Sequence, residues 1–268
     1  MTRFKKSLNI AQVKILRTCV MPVVRKSKCH QYTATELDPA KISDIALAVL
    51  GKKPFDWQLE ACIGVLTGND VILDVGTGCG KSLCFQLPLL MSKTDIALTI
   101  SPLTALMIDQ ASHCKVGKGL NNSSDILNGQ YQQVLISPEI VVSAGFHRAV
   151  TMKKEFSDHL RVVIIDEAHC VTIWGGSFRP EYASLGEIRG RLPKNVPILI
   201  ASATLPDHVL ADVRTKLQLS SCAKVISVTN ARPNIALSVR IMKKAEATMS
   251  DLRFLIPPDA KESGDIKI

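Results

Sequence analysis

Val71-Ile-Leu-Asp-Val75-Gly-Thr-Gly-Cys-Gly80-Lys81-Ser82 runs an apolar strand into a glycine-rich turn that ends on Lys-Ser. A strand that stops in such a turn and is followed by a helix presents bare backbone N–H groups to an anion. Gly76, Gly78 and Gly80 leave that approach open, with Thr77 and Cys79 between them. In loops of this kind the lysine, Lys81, reaches the outer phosphates of a nucleoside triphosphate, and the next hydroxyl, Ser82, is placed to ligate Mg²⁺. Val75 stands where the usual pattern has its first glycine, which narrows the subclass of loop without removing the site.

A second apolar strand, Val162-Val-Ile-Ile165, ends in Asp166-Glu167-Ala168-His169. Ligands of open α/β sheets sit at the carboxyl ends of strands, so Asp166 is expected to hold the Mg²⁺ hydration shell opposite Ser82. Glu167 then falls beside the γ-phosphate, where a carboxylate can polarise the attacking water. The same four residues would also suit the first turn of a solvated helix; the loop upstream favours the metal reading.

Around these two strands the pattern alternates. Helical spacing is expected at Ala40–Leu50 and Trp57–Leu66. Strands are expected at 71–75, 96–100, 134–137, 161–165, 197–201 and 224–228, with helices after Lys81, Leu103, Pro180 and Pro206. Short continuous apolar strands alternating with helices predict an α/β fold: a mostly parallel sheet flanked by helices on both faces, with right-handed crossovers. Residues 117–133 are rich in Gly, Asn and Ser and read as a surface loop.

Composition bounds the rest. The chain has 268 residues, 46% of them apolar, with no apolar run long enough to cross a membrane. Its eight cysteines form no C-x-x-C pair, so zinc-ribbon and redox-motif readings fail and no zinc is expected. Adjacent His-Cys pairs such as His169-Cys170 are not read as ligands, because neighbouring side chains on a strand point to opposite faces. The net charge of +9 belongs almost wholly to residues 1–35, which carry eight basic residues and no acid. A basic nucleic-acid face therefore cannot be inferred for the remainder. Residues 1–35 read as a basic, disordered tail, with a polyanion anchor, a nuclear signal and an acid-poor mitochondrial presequence as alternatives.

Further signatures carry a family resemblance. Asp166-Glu-Ala-His169-Cys170 followed by Trp174-Gly-Gly-Ser-Phe178-Arg179-Pro180-Glu-Tyr182 resembles the RecQ family of ATP-dependent DNA helicases. So do Ser101-Pro102-Leu103 through Asp109-Gln110, Ser137-Pro-Glu139, Ala201-Ser202-Ala-Thr204-Leu205, Phe55-Asp-Trp-Gln58 and Arg232-Pro-Asn234. The resemblance covers about residues 36–258 and implies a P-loop NTPase (RecA-like) first motor domain at 36–250, with 251–268 a linker toward a second such domain.

What that resemblance implies follows the residues. ATP and Mg²⁺ are the cofactors, with Lys81, Asp166, Glu167 and His169 as the catalytic set. Phe55 and Gln58 match the element that reads adenine, although Asp56 stands where the family has arginine. Trp174, Phe178 and Arg179 match a loop that touches single-stranded DNA, for which stacking explains the residue types. Ser101, Pro102 and Gln110 match a segment that holds DNA phosphates, and Ser202 and Thr204 one that couples nucleotide state to domain movement. Ile173 occupies a position where a polar residue is usual. The partners implied are single-stranded or partly duplex DNA and a second helicase domain, in trans if need be, with no membrane. The implied work is DNA repair and recombination in the nucleus, the mitochondrion being the alternative address.

Only ten residues follow Pro258, whereas a second motor domain needs roughly 150. The expectation is half a catalytic cleft that binds Mg-ATP weakly, hydrolyses it very slowly and does not unwind DNA alone. A non-catalytic, nucleotide-gated DNA-binding module or a degenerate helicase paralogue is the alternative. A metabolic P-loop kinase would leave Trp174–Tyr182 without purpose.

Overall fold

The apolar runs of the sequence become adjacent strands, and the central ones, at 71–75, 96–100, 133–136, 160–166 and 198–202, are buried almost throughout. In the computed structural model, which describes residues 14–16, 28–102, 126–128, 131–173, 180–231, 234–236, 238, 239, 241, 243, 244 and 251, these strands are β1 (Lys14–Leu16), β2 (Val71–Val75), β3 (Ile96–Ile100), β4 (Gln133–Ile136), β5 (Leu160–Asp166), β6 (Ile198–Ser202) and β7 (Lys224–Val228). The sheet order is β1-β4-β3-β5-β6-β2-β7. Strands β2 to β7 run parallel, and β1 pairs antiparallel to β4 at one edge.

Period-two alternation assigns the two faces. Ile72, Val163, Ile165, Ile198 and Ile200 face one apolar cluster, while Val71, Leu73, Val75, Val162, Ile164, Leu199 and Ala201 face another. The first is covered by Val209 and Val213 of the helix Asp207–Lys216 and by Tyr182, Leu185 and Ile188. The second is covered by α2 (Asp56–Leu66) and α3 (Lys81–Gln86) through Ala61, Val65, Cys84 and Phe85. A third cluster packs Ile42 and Ala46 of α1 (Pro39–Leu50) on Leu59, Cys62, Leu66 and Leu87. Each such side chain contributes about 1.5–3 kcal/mol of burial, so a sheet covered on both faces needs no further staple.

Helix α1 starts as its sequence dictates. The Asp38 carboxylate accepts from Ala40 N at 2.9 Å, Pro39 occupies the first turn, and Gly51 ends the helix in the left-handed region. After Pro180 the chain first makes a 3₁₀ turn, Pro180–Gly186, and only then a short helix, Glu187–Arg191. The helix expected after Leu103 lies outside the described residues.

Two features concern the ends of the chain. Of the segment expected to be a disordered tail, Lys14–Leu16 forms β1 and residues 28–36 lie against the domain. The physical reason is a buried charge. Arg161, the second residue of β5, is bonded to Asp95 at 2.6 Å, with both side chains buried. Tyr32 lays its ring 5.3 Å from that guanidinium and the Cys29 thiol donates to Asp95, so residues 28–36 form a lid on an ion pair. Toward the other end, the first compact unit ends at Asn230 and a second small unit spans 231–268. In that unit Lys243 N and Lys244 N both donate to the Asp251 carboxylate. Among the described residues no helix is long and apolar enough to cross a membrane.

Candidate functional site

The carboxyl ends of β2, β6 and β5 lie side by side at one edge of the sheet. Since β6 sits between the other two, the segment Ser202–Thr204 stands between the glycine-rich loop that follows β2 and the acidic box that follows β5. Three motifs spread over more than a hundred residues of sequence thus share one strand-end crevice, where open α/β sheets place their ligands.

The loop is built around Gly80, whose φ of +91° only glycine adopts freely, and a Cβ there would meet Gln58 Nε2 at 2.9 Å. Helix α3 begins with the next residue, so its first amides open toward the loop. The Lys81 ammonium is folded back, donating to Val75 O at 2.8 Å and Gly76 O at 3.2 Å. Ser82 follows, exposed in the first turn of α3. Gly76 is bare for a second reason that the sequence did not disclose: a Cβ there would collide with the side-chain oxygen of Asn230.

Gln58 is turned into the fold. It is 2% exposed, its Oε1 accepts from Phe55 N at 2.9 Å and its Nε2 donates to Gly80 O at 3.0 Å. The carboxamide therefore caps α2 and braces the loop, and it is not turned outward to a base. Phe55, 63% exposed, is the member of this pair that offers a free ring face. Asp56, which replaces the family's arginine, sits in the first turn of α2, where an acid favours the helix dipole.

In the acidic box, Asp166 is buried at the end of β5 and accepts from the amide of Glu167 at 3.1 Å. Glu167 adopts a φ of +51°, a conformation that costs a non-glycine residue on the order of 1–3 kcal/mol. It is held there because Ala168 N donates to Ala201 O of β6 at 3.0 Å. His169 Nδ1 lies 2.9 Å from Ser202 Oγ and 3.4 Å from Glu167 Oε2. Ser202 Oγ also accepts from Thr204 N at 3.2 Å and faces Thr204 O at 3.3 Å. A hydroxyl has one proton to give, so Ser202 can donate to His169 or to Thr204 O but not to both.

Farther along the same edge, Ser101 follows β3 and Ser137 follows β4, with Ser101 N bonded to Ile136 O at 3.1 Å. Both hydroxyls are buried and lack a hydrogen-bond partner among the described residues. Pro102 is buried beside Ser101. Trp174, Phe178, Arg179 and Gln110 lie outside the described residues. Short of them, the helix Cys170–Ile173 is tied to the helix Asp207–Lys216 by Thr172 Oγ1, which donates to Asp212 at 2.6 Å. Lys216, and after it the Thr172 hydroxyl, holds the Asp212 carboxyl below its usual range.

Similarity to known proteins agrees with this arrangement. Residues 55–213 match the DEAD/DEAH box helicase family. The ATP-dependent DNA helicase hus2/rqh1 of Schizosaccharomyces pombe is 34% identical over 78% of the chain, and the ATP-dependent DNA helicase RecQ of Haemophilus influenzae is 33% identical over 70%. The chain spans only 17% and 32% of those two relatives. A crystal structure of the DUF1998 helicase MrfA bound to DNA aligns with 76% of the chain and 31% of its own at a TM-score of 0.50 and 19% identity, which is a likeness of fold. With its loop, acidic box and hydroxyl segment converging on one sheet edge, the chain belongs to the DEAD/DEAH box helicase family and matches RecQ-type DNA helicases over their motor region.

Proposed function

We propose that the chain is the ATP-binding motor half of a RecQ-type DNA helicase, turning nucleotide hydrolysis into movement on single-stranded DNA in the 3′ to 5′ direction. The observation that carries this reading is the bond between His169 and Ser202, because it links the residues next to the reacting phosphate to a segment with two alternative hydroxyl partners. Lys81 leaves Val75 O and Gly76 O to meet the outer phosphates, a change of partner that costs little because ammonium-to-carbonyl bonds are exchanged for stronger ones to an anion. Glu167 orients the attacking water, and Phe55 offers its ring to adenine while Gln58 keeps the loop in shape.

Exposed Ser82 beside the loop and buried Asp166 at the strand end are a donor set suited to a hard cation. When bound there, Mg²⁺ supplies neutralisation of the phosphate charge. Catalysis at full rate needs an arginine from a second motor domain, whether in a longer protein or in trans, worth about 10³–10⁵ in rate.

On the DNA side, Ser101 follows β3 at the same strand-end edge as the glycine-rich loop, which suits a segment that holds a DNA backbone beside the nucleotide. Pro102, Gln110, Trp174, Phe178, Arg179 and Thr204 complete the proposed DNA and coupling surface. DNA repair or recombination in the nucleus is the corresponding setting.

Titration with a fluorescent ATP analogue and Mg²⁺, and ATPase rates with and without single-stranded DNA, test the reading. The chain is expected to bind nucleotide, and Lys81→Ala to weaken binding by at least about tenfold, as loss of one charge-assisted contact of roughly 1.5–3 kcal/mol requires. Absence of uptake at millimolar nucleotide would defeat the proposal. Uptake without DNA-stimulated turnover would favour the nucleotide-gated binding module.

A further inference from the structure

Asn230 is the last residue of the first compact unit, two residues beyond β7, and no motif of the sequence includes it. Its side chain touches both halves of the site. The carboxamide oxygen fills the space where Gly76 lacks a Cβ, and Nδ2 donates to Ala203 O at 2.7 Å. The Gly76 carbonyl is also one of the two, with that of Val75, that hold Lys81 in its folded-back position. Ala203 lies between Ser202 and Thr204, the pair with alternative hydroxyl partners.

We infer that Asn230 is a positioning residue that clasps the phosphate-binding loop to the Ser202–Thr204 segment and thereby registers the chain's exit from the motor domain to nucleotide state. This rests on the ATP reading of the loop. The chain of cause is short. A triphosphate draws Lys81 off Gly76 O, and the peptide at Gly76 is then free to turn. Asn230 is packed against that residue with no intervening side chain, so it feels the turn and passes it to Ala203. An exposed amide–carbonyl bond competes with water and is worth little by itself, which suits a contact that must open and close in each cycle. A glycine at position 76 is required for this contact: any side chain would expel Asn230. The contact also explains why the loop keeps this glycine although Val75 has replaced the one before it. Both ends of the contact bias one discrete element, the Ser202 hydroxyl, which supplies the two-state device that coupling needs.

Hydrogen exchange on the full chain, without nucleotide and at saturating Mg²⁺ and non-hydrolysable ATP analogue, tests the inference. In the wild type, nucleotide is expected to change exchange in peptides spanning 201–206 and 226–236 by about fivefold or more, the low end of ordinary site-to-site coupling. Asn230→Ala, and Asn230→Asp, which sets a carboxylate against Ala203 O, are expected to erase that difference at nucleotide levels that saturate each variant. A melting scan of each variant, matching the wild type within a few degrees, separates this from misfolding, and a purely structural role would leave the nucleotide-dependent difference in place. If the wild type responds and both variants respond equally, the clasp is wrong and the ATP site stands. If the wild type binds nucleotide without any response in these peptides, the clasp is also wrong. If the wild type takes up no nucleotide, the ATP reading fails and the clasp falls with it.

Discussion

Asp70 shows how much one carboxylate can hold in this protein. It is buried just before β2 and accepts from Ile198 N and Ser220 N, each at 2.8 Å, and from the Arg189 guanidinium. One side chain thus joins the starts of β2 and β6 and the approach to β7, at the sheet edge opposite the crevice. Asp70→Asn keeps the shape but removes the charge and one acceptor, leaving buried donors short of a partner. A loss of about 2–4 kcal/mol is expected, read as a lower denaturant midpoint with unchanged slope. The thiols offer a second residue-scale test. Burial raises the Cys84 thiol to about 12, and burial followed by the neighbouring Cys84 raises Cys62 further, while Cys222 is exposed. At pH 8 a maleimide is expected to label Cys222 and to spare Cys62 and Cys84 until the protein unfolds. The sign of the linkage follows: unfolded thiols lose protons near 9, whereas the folded ones keep theirs. Stability from these groups is therefore complete below pH 9 and declines as pH rises from 9 toward 12, which a series of thermal melts would record.

At the scale of elements, strands were the most legible part of the sequence. Every expected strand is present with its ends moved by at most one residue, because the central strands of a parallel sheet covered on both faces are dominated by apolar residues that stand out in the sequence. The glycine-rich loop and acidic box were legible for the same reason, since phosphate chemistry restricts residue type at fixed spacing. Less could be read where a side chain acts across the fold. Gln58 looks outward in a motif and inward in three dimensions, because its N3 position in α2 directs its carboxamide to Phe55 N and to the loop. Asn230 carried no signal, since its partners are 154 and 27 positions away in a chain that gives no hint of their proximity. The lid at residues 28–36 was hidden by the charge of its neighbours. Arg161, the one basic residue of β5, was the clue that a buried cation needed cover. Tyr32→Ala is expected to cost about 1–3 kcal/mol through lost aromatic cover of that guanidinium and to speed amide exchange at Cys29, whose N–H donates to Asp158 O.

For the whole molecule, charge is distributed unevenly along the sequence. Residues 1–35 hold eight basic residues and no acid, and the other 233 are nearly balanced. Removing residues 1–27 is therefore expected to weaken single-stranded DNA binding and to reduce the slope of log affinity against log salt by about 0.7 for each basic residue that had met a phosphate. Nucleotide affinity in the same protein is expected to stay within about twofold, because no residue assigned to the nucleotide site falls within 1–27. A binding titration over a salt series, run beside a nucleotide titration, measures both.

Strand β6 is bordered on one side by the loop strand and on the other by the acidic strand, and it has no freedom to slide past either. Alternation along a strand means that inserting or deleting one residue between Pro197 and Ser202 would rotate the serine to the opposite face of the sheet. Both neighbouring motifs would survive such a change intact, each with its full complement of residues. What would vanish is their common witness. A protein altered in this way should still grip its fuel, yet have no means to announce that it had done so.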